Sequence, residues 1–212
     1  SFVALLDLAS NGKHFLAIRD AYSQLTQVCR DAFIYTALLH RLKLLMPATL
    51  LRKIISKPWD EFVEEVIKGE GKGILIQETR PLEDGKLDLF FRTKHPIIAD
   101  RLINEIIKTN EKKYYLYTLI LQKLLIGDHF VNLTNDILKS ISKSKDFDIE
   151  KINKLFDVAY ITLQDEPYFL LNYASNLQHR DDIKQLQRAI DLLKYAESLL
   201  DYRSDRFIHR RG

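Results

Sequence analysis

Cysteine is almost missing from this sequence: Cys29 stands alone, which excludes an internal disulfide framework and any multi-cysteine metal cluster and suits a reducing compartment such as the cytoplasm. Glycine and proline are scarce as well, 7 and 5 among 212 residues. Against abundant leucine, isoleucine and lysine, that scarcity favours a mostly helical chain with few loops. Long apolar runs are missing too. The stretch from Tyr114 to Ile126 is broken by Gln122 and Lys123 and is too short to span a bilayer, and no signal-peptide pattern is visible. A strong charge bias is also absent, because 32 Lys and Arg against 29 Asp and Glu leave a net charge of +3, too little to imply nucleic acid by itself. What is present, 46% hydrophobic and 29% charged residues, is the make-up of a folded globular chain.

The chain opens on Ser1 and closes on Arg210-Arg211-Gly212, just after a further helical pattern begins at Asp205. The expectation is a piece of a longer protein. An apolar segment from Phe2 to Leu8 is broken at Asn11-Gly12, and Phe15, Ile18, Ala21, Tyr22 and Leu25 form a helical stripe. Val28, Ala32, Tyr35, Leu38, Leu39, Leu42 and Leu45 line a longer helix that Pro47 ends. A short helix from Pro47 to Ile55 follows, then one from Trp59 to Lys68 with Trp59, Phe62, Val63 and Val66 inward. Ile74 to Arg80 and Lys86 to Thr93 read as a hairpin across Pro81-Leu82-Glu83-Asp84-Gly85. Three helices followed by a two-stranded wing is the order of a winged-helix domain.

The segment from Leu87 to Ile107 changes period at His95-Pro96. Proline keeps the residue before it extended and favours the first helical position, so a strand should end at His95 and a helix should start at Pro96. An imidazole flanked by Arg92 and Lys94 at a helix N-terminus is a candidate anion site. The bland alternative is that His95 caps the helix or fills the core beneath the wing.

Beyond this point the pattern is helical throughout: Lys112 to Ile126, Asn132 to Ser142, Ile149 to Gln164, Pro167 to Gln178 and Ile183 to Leu200. A break at Arg180-Asp181 separates the last two. Phe207 opens a further unit about 34 residues after Tyr173, the tetratricopeptide period. The alternatives are degenerate tetratricopeptide-like repeats and an irregular helical bundle.

Catalytic signatures are lacking. Gly69-Glu70-Gly71-Lys72-Gly73 lacks both the spacer and the hydroxyl residue of a phosphate loop and reads as a turn before the wing. Cys29 sits near an apolar helix face with no adjacent histidine, and His14, His40, His129, His179 and His209 have no ligand spacing. No catalytic and no metal-binding residue is assigned. DNA recognition would need a basic third helix and wing. The third helix instead carries Asp60, Glu61, Glu64 and Glu65 against Lys68, and the wing Glu83, Asp84 and Asp88 against Lys86. That balance favours a protein-facing winged helix.

With the stretch Phe91-Arg92-Thr93-Lys94-His95-Pro96-Ile97-Ile98-Ala99, this order of elements resembles the winged-helix region of STAND-class signalling NTPases of the NACHT and NB-ARC type, including the bacterial antiviral ones. His95 matches the histidine of the Met-His-Asp motif in the plant members, with Lys94 and Pro96 in place of its neighbours. Arg92, His95, Ile98 and Ala99 match the bacterial pattern. The resemblance covers residues 10 to 110 and implies that His95, with Arg92 as a weaker candidate, contacts the phosphate of ADP held by an upstream P-loop domain of the same chain.

The resulting expectation is a mainly α protein. Residues 1–25 end a preceding lid subdomain, 26–110 form the winged helix, and 111–212 form a helical bundle or tetratricopeptide-like region. The chain would be a regulatory fragment without enzymatic activity or a cofactor of its own. The resemblance implies ADP or ATP with magnesium for the parent, a protein ligand on the helical region, and homo-oligomerisation, with no membrane or DNA partner. The rivals are a DNA-binding winged-helix transcription regulator with a helical effector domain, and a helical scaffold with no nucleotide link.

Overall fold

The computed structural model describes residues 13–82, 84–94, 96–125, 130–178 and 182–209, with the backbone alone at 13–15, 17, 18, 96, 98, 99 and 201–209. The segment from Phe2 to Leu8 and the side chains of Phe15 and Ile18 therefore lie outside the described residues. Among the described residues the chain is mainly helical, with eleven α-helices and one three-stranded antiparallel sheet. It divides into two compact units, Ser1–Leu124 and Leu125–Gly212.

The first unit starts with α1 (Lys13–Gln24) and α2 (Gln27–Arg41). α2 buries Cys29, Ala32, Phe33, Thr36, Ala37, Leu38 and Leu39, a face at helical spacing. Spacing alone predicts that this helix runs on to Pro47. It ends at Arg41 instead, because Lys43 takes a left-handed φ of 64° and the Leu44 amide turns back to the Leu39 carbonyl at 3.0 Å. The chain freed by this turn forms β1 (Met46–Pro47), opposite Phe91 and Phe90. A residue before proline is held extended, and at a sheet edge the missing proline N–H costs little.

β2 (Leu75–Pro81) and β3 (Leu87–Thr93) form the expected hairpin, in register from Leu75 opposite Thr93 to Pro81 opposite Leu87. Gly85 supplies the turn with a φ of 81° that a side chain would strain. The sheet order is β1-β3-β2, so β3 is central. Its Phe91 is fully buried and meets Phe62 edge-on at 6.1 Å and 79°.

α3 (Ala48–Ile55) follows Pro47, which has no side-chain acceptor to cap it. Asp88 of β3 does so from across the fold, its Oδ2 accepting the Thr49 amide at 3.1 Å and its Oδ1 the Leu89 amide at 2.8 Å. Sequence alone counts Asp88 among the exposed acids of the wing, but this capping role leaves it only 8% exposed.

α4 (Trp59–Phe62) widens at once into a π-helical turn, Val63–Lys68. Its carbonyls find partners outside the helix: Cys29 Sγ donates to Glu65 O at 3.3 Å and Gln77 Nε2 to Ile67 O at 2.8 Å. Phe62 and Val66 are buried as their spacing predicts, whereas Trp59, expected inward, is 46% exposed. It stands in the opening turn and lays its ring against Phe62 at 5.8 Å. The exit is tight. A Cβ on Gly69 would lie 2.5 Å from Glu65 O, and one on Gly71 would strike the Val66 carbonyl oxygen, before the short α5 (Gly71–Ile74) leads into β2.

α6 (Pro96–Ile106) begins at the proline that its spacing predicts, and α7 (Asn110–Leu124) follows. The fully buried Tyr117 donates its hydroxyl to the Leu38 carbonyl at 3.0 Å. That bond ties α7 to α2 within the first unit, which runs to Leu124.

The second unit contains α8 (Val131–Lys143), α9 (Ile149–Leu163), α10 (Pro167–Gln178) and α11 (Ile183–His209). Asp148 caps α9 by accepting the Lys151 amide at 2.9 Å, and that bond holds its carboxyl below the usual range. Phe156 stacks on Tyr173 at 4.9 Å and 14°, with Phe169 and Tyr160 around them. α11 continues without a break to His209, so Phe207 does not open the new unit that its sequence spacing suggests.

The glycine pair at the π-turn exit gives a direct check. Gly71→Ala should destabilise the chain by about 1–3 kcal/mol through the forced clash. Gly73→Ala, which meets nothing within 4 Å, should leave the denaturation midpoint nearly unchanged.

Candidate functional site

The site singled out by sequence is the corner between β3 and α6. Period-2 alternation along β3 turns Phe91 and Thr93 into the core and leaves Arg92 half-exposed on the other face. His95, the leading candidate, lies outside the described residues. The described strand ends at Thr93 and the described helix starts at Pro96.

Arg92 sits opposite Ile76 in the ladder, with its Nε 4.0 Å from Glu78 Oε1. Glu78 also takes Arg80 at 3.1 Å. Arg92 therefore has an acidic neighbour at long range, an exposed pairing of small energetic weight. Lys94 is exposed.

Two consecutive residues that sequence reasoning did not connect to the corner hold both of its flanks. At the end of α2, His40 Nδ1 accepts the Thr93 hydroxyl at 2.6 Å and the Thr93 amide at 3.3 Å. Next to it, Arg41 Nε donates to Asp100 Oδ1 in α6 at 2.8 Å. The last strand residue and the first turns of the helix are thus both fixed to one helix end. Because a backbone N–H can only donate, Nδ1 is the unprotonated nitrogen and the imidazole is held neutral. Burial first, and the Arg92 charge second, pull the His40 pKa below its ordinary value. The only sequence clue was a histidine near a helix end, since its partner is 53 residues away.

The surface expected to exclude nucleic acid is acidic but partly neutralised. Lys57 Nζ lies 2.8 Å from Glu61 and 3.0 Å from Glu65, and Lys68 pairs with Glu64 at 2.8 Å. On the hairpin, Asp84 pairs with Lys86 at 3.0 Å. Asp88 has turned inward, and Glu83 lies outside the described residues.

No family model, curated protein or solved structure matches this chain.

Other sequence candidates carry no site geometry. The Gly69–Gly73 run is used by the π-turn exit. Cys29 is buried, and that burial pushes its thiol pKa up, away from nucleophilic use. Among the described residues no three His, Cys, Asp or Glu side chains converge to hold a metal, and no helix is long and apolar enough to cross a membrane. His129, His179, Arg180 and Asp181 lie outside the described residues.

The His40 clamp makes stability pH-dependent. Its folded pKa is depressed, so its contribution is complete above the unfolded value of about 6.5 and is lost as pH falls through the folded one. The stability gap between the native chain and His40→Gln should therefore shrink between about pH 7 and about pH 5. A gap that stays constant over that range in urea titrations would remove His40 from this role.

Proposed function

We propose that this chain is the regulatory part of a STAND-type NTPase, a winged helix that follows the state of a bound nucleotide joined to a helical region that meets a protein partner. The observation that carries the reading is the braced corner. β3 ends at Thr93 and α6 starts at Pro96, and consecutive residues, His40 and Arg41, fix these flanks through Thr93 and Asp100. A strand–helix corner braced on both flanks suits a contact to a nucleotide phosphate, and releasing it would mark a second state.

Topology supports the winged-helix part. The order is helix α2, edge strand β1, helices α3 and α4, then the β2–β3 hairpin, with the sheet ordered β1-β3-β2. In the helical region, α8 and α10 start 36 residues apart, at Val131 and Pro167, and α9 and α11 start 34 apart, at Ile149 and Ile183. These spacings support two helix-pair units close to the tetratricopeptide period of about 34 residues, although the unbroken α11 departs from a regular array.

In this reading the nucleotide, ADP or ATP with magnesium, belongs to an upstream P-loop domain of the parent. The chain contributes the histidine contact rather than hydrolysis, in a cytoplasmic protein that oligomerises when its partner binds. The same topology also suits a DNA-binding regulator. The acidic third helix, with Asp60, Glu61, Glu64 and Glu65 on it, weighs against that reading because a duplex would repel it.

In the full-length protein, His95→Ala should lower the amount of ADP that copurifies and raise basal signalling. Equal ADP occupancy and equal signalling in mutant and native protein would contradict the proposal. Salt-dependent duplex binding by the present chain would favour the DNA reading instead.

A further inference from the structure

The second unit contains a cleft of about 330 Å³ walled by α8, α9 and α10. Lys139, Ser142 and Lys143 come from α8, Phe156 from α9, and Asn172, Ser175 and Asn176 from α10. The lining has two cations, two amides, two hydroxyls and one aromatic ring, and no acidic residue. Helical spacing explains the convergence, since 139, 142 and 143 share one face of α8 and 172, 175 and 176 share one face of α10.

The charges here are handled differently from those on neighbouring helices. On α9, Lys151 lies 3.5 Å from Asp148 and Lys154 lies 2.8 Å from Glu150. Among the described residues, Lys139 and Lys143 have no ion-pair partner. They are four residues apart on the same face, an arrangement of like charges that costs an isolated helix stability.

The amides beside them are pre-positioned. Asn176 Nδ2 donates to Asn153 Oδ1 at 2.9 Å, and Asn172 Nδ2 to Asn135 Oδ1 at 3.4 Å. Each of these amides keeps a second N–H, and Ser175 adds a hydroxyl. Ser142 is turned back to the Lys139 carbonyl at 2.9 Å. Phe156, stacked on Tyr173, borders the cleft from within the core and is only 1% exposed.

We propose that this cleft binds a phosphate monoester, its dianionic head between Lys139 and Lys143. Two cations match a charge close to −2, whereas a single carboxylate would leave one lysine uncompensated. The surrounding N–H and O–H donors suit the three terminal oxygens of a phosphoryl group. The cleft is also roomy enough for more than the bare anion, so part of the carrier enters with it. The site rests on these residues alone and stands apart from the nucleotide assignment made for the corner at His95.

The test is thermal unfolding of the whole chain at constant ionic strength, with inorganic phosphate, O-phosphoserine and a phosphoserine-containing peptide as probes. The expected result is a saturable rise in Tm. In the double variant Lys139→Gln, Lys143→Gln the apparent affinity should fall about tenfold or more. Both lysines are exposed and repel each other across one helical turn, so the variant's Tm without probe should equal that of the native chain or lie slightly above it. Backbone amide NMR provides a second readout, with phosphate-induced shifts centred on Lys139, Lys143, Asn172 and Asn176. Tighter binding of the peptide than of O-phosphoserine assigns the group to a modified partner protein, and equal or weaker binding assigns it to a small molecule; either order supports the site. No saturable response to any probe, or an undiminished one in the double variant, overturns the proposal.

Discussion

Thr93 closes the central strand against the imidazole of His40, through its hydroxyl at 2.6 Å and its amide at 3.3 Å, and the first unit depends on that closure. A strand alternates its faces, so fixing Thr93 inward also fixes Phe91 inward, against Phe62 at 6.1 Å, and leaves Arg92 outward beside Glu78. The same strand reaches the other way to cap α3 through Asp88. β3 therefore supplies the core aromatic, the helix cap and one flank of the corner. Arg41, the residue after His40, holds the other flank through Asp100. One helix end thus holds both the strand before the corner and the helix after it.

The second unit uses a comparable arrangement on α9. Phe156 stacks on Tyr173, and the next residue, Asp157, accepts both the Tyr173 hydroxyl at 2.6 Å and Arg188 Nη2 at 2.8 Å. The Arg188 guanidinium also lies 4.8 Å over the Tyr173 ring. One pair of neighbouring residues thus links α9, α10 and α11. Its hold on Tyr173, in the middle of α10, also positions Asn172 and Asn176 beside the lysines.

Much of the fold was legible because the strongest local signals agreed with the tertiary structure. Pro96 and Pro167 open helices at the expected residues, and the hairpin pairs across a glycine turn because strand period and turn chemistry coincide. The misses are places where distant groups decide local structure. β1 exists because Met46 and Pro47 find Phe91 and Phe90, and Asp88 is buried because Pro47 leaves a helix end uncapped. Nor does an apolar helical pattern distinguish an α-turn from the π-turn at Val63, whose displaced carbonyls are answered by Cys29 and Gln77. At the candidate site, the strand–helix junction was legible from Pro96, whereas the His40 and Arg41 braces left no clue beyond a histidine near a helix end, because they are contacts between residues far apart in the chain.

In the proposed function, the corner between β3 and α6 responds to nucleotide state. Hydrogen exchange of the full-length protein, followed over a peptide spanning residues 89–100 with ADP and then with ATP and magnesium, tests it most directly. Slower exchange across that peptide is expected in the ADP state than in the ATP state. Equal exchange in the two states, with nucleotide bound in both, would contradict it.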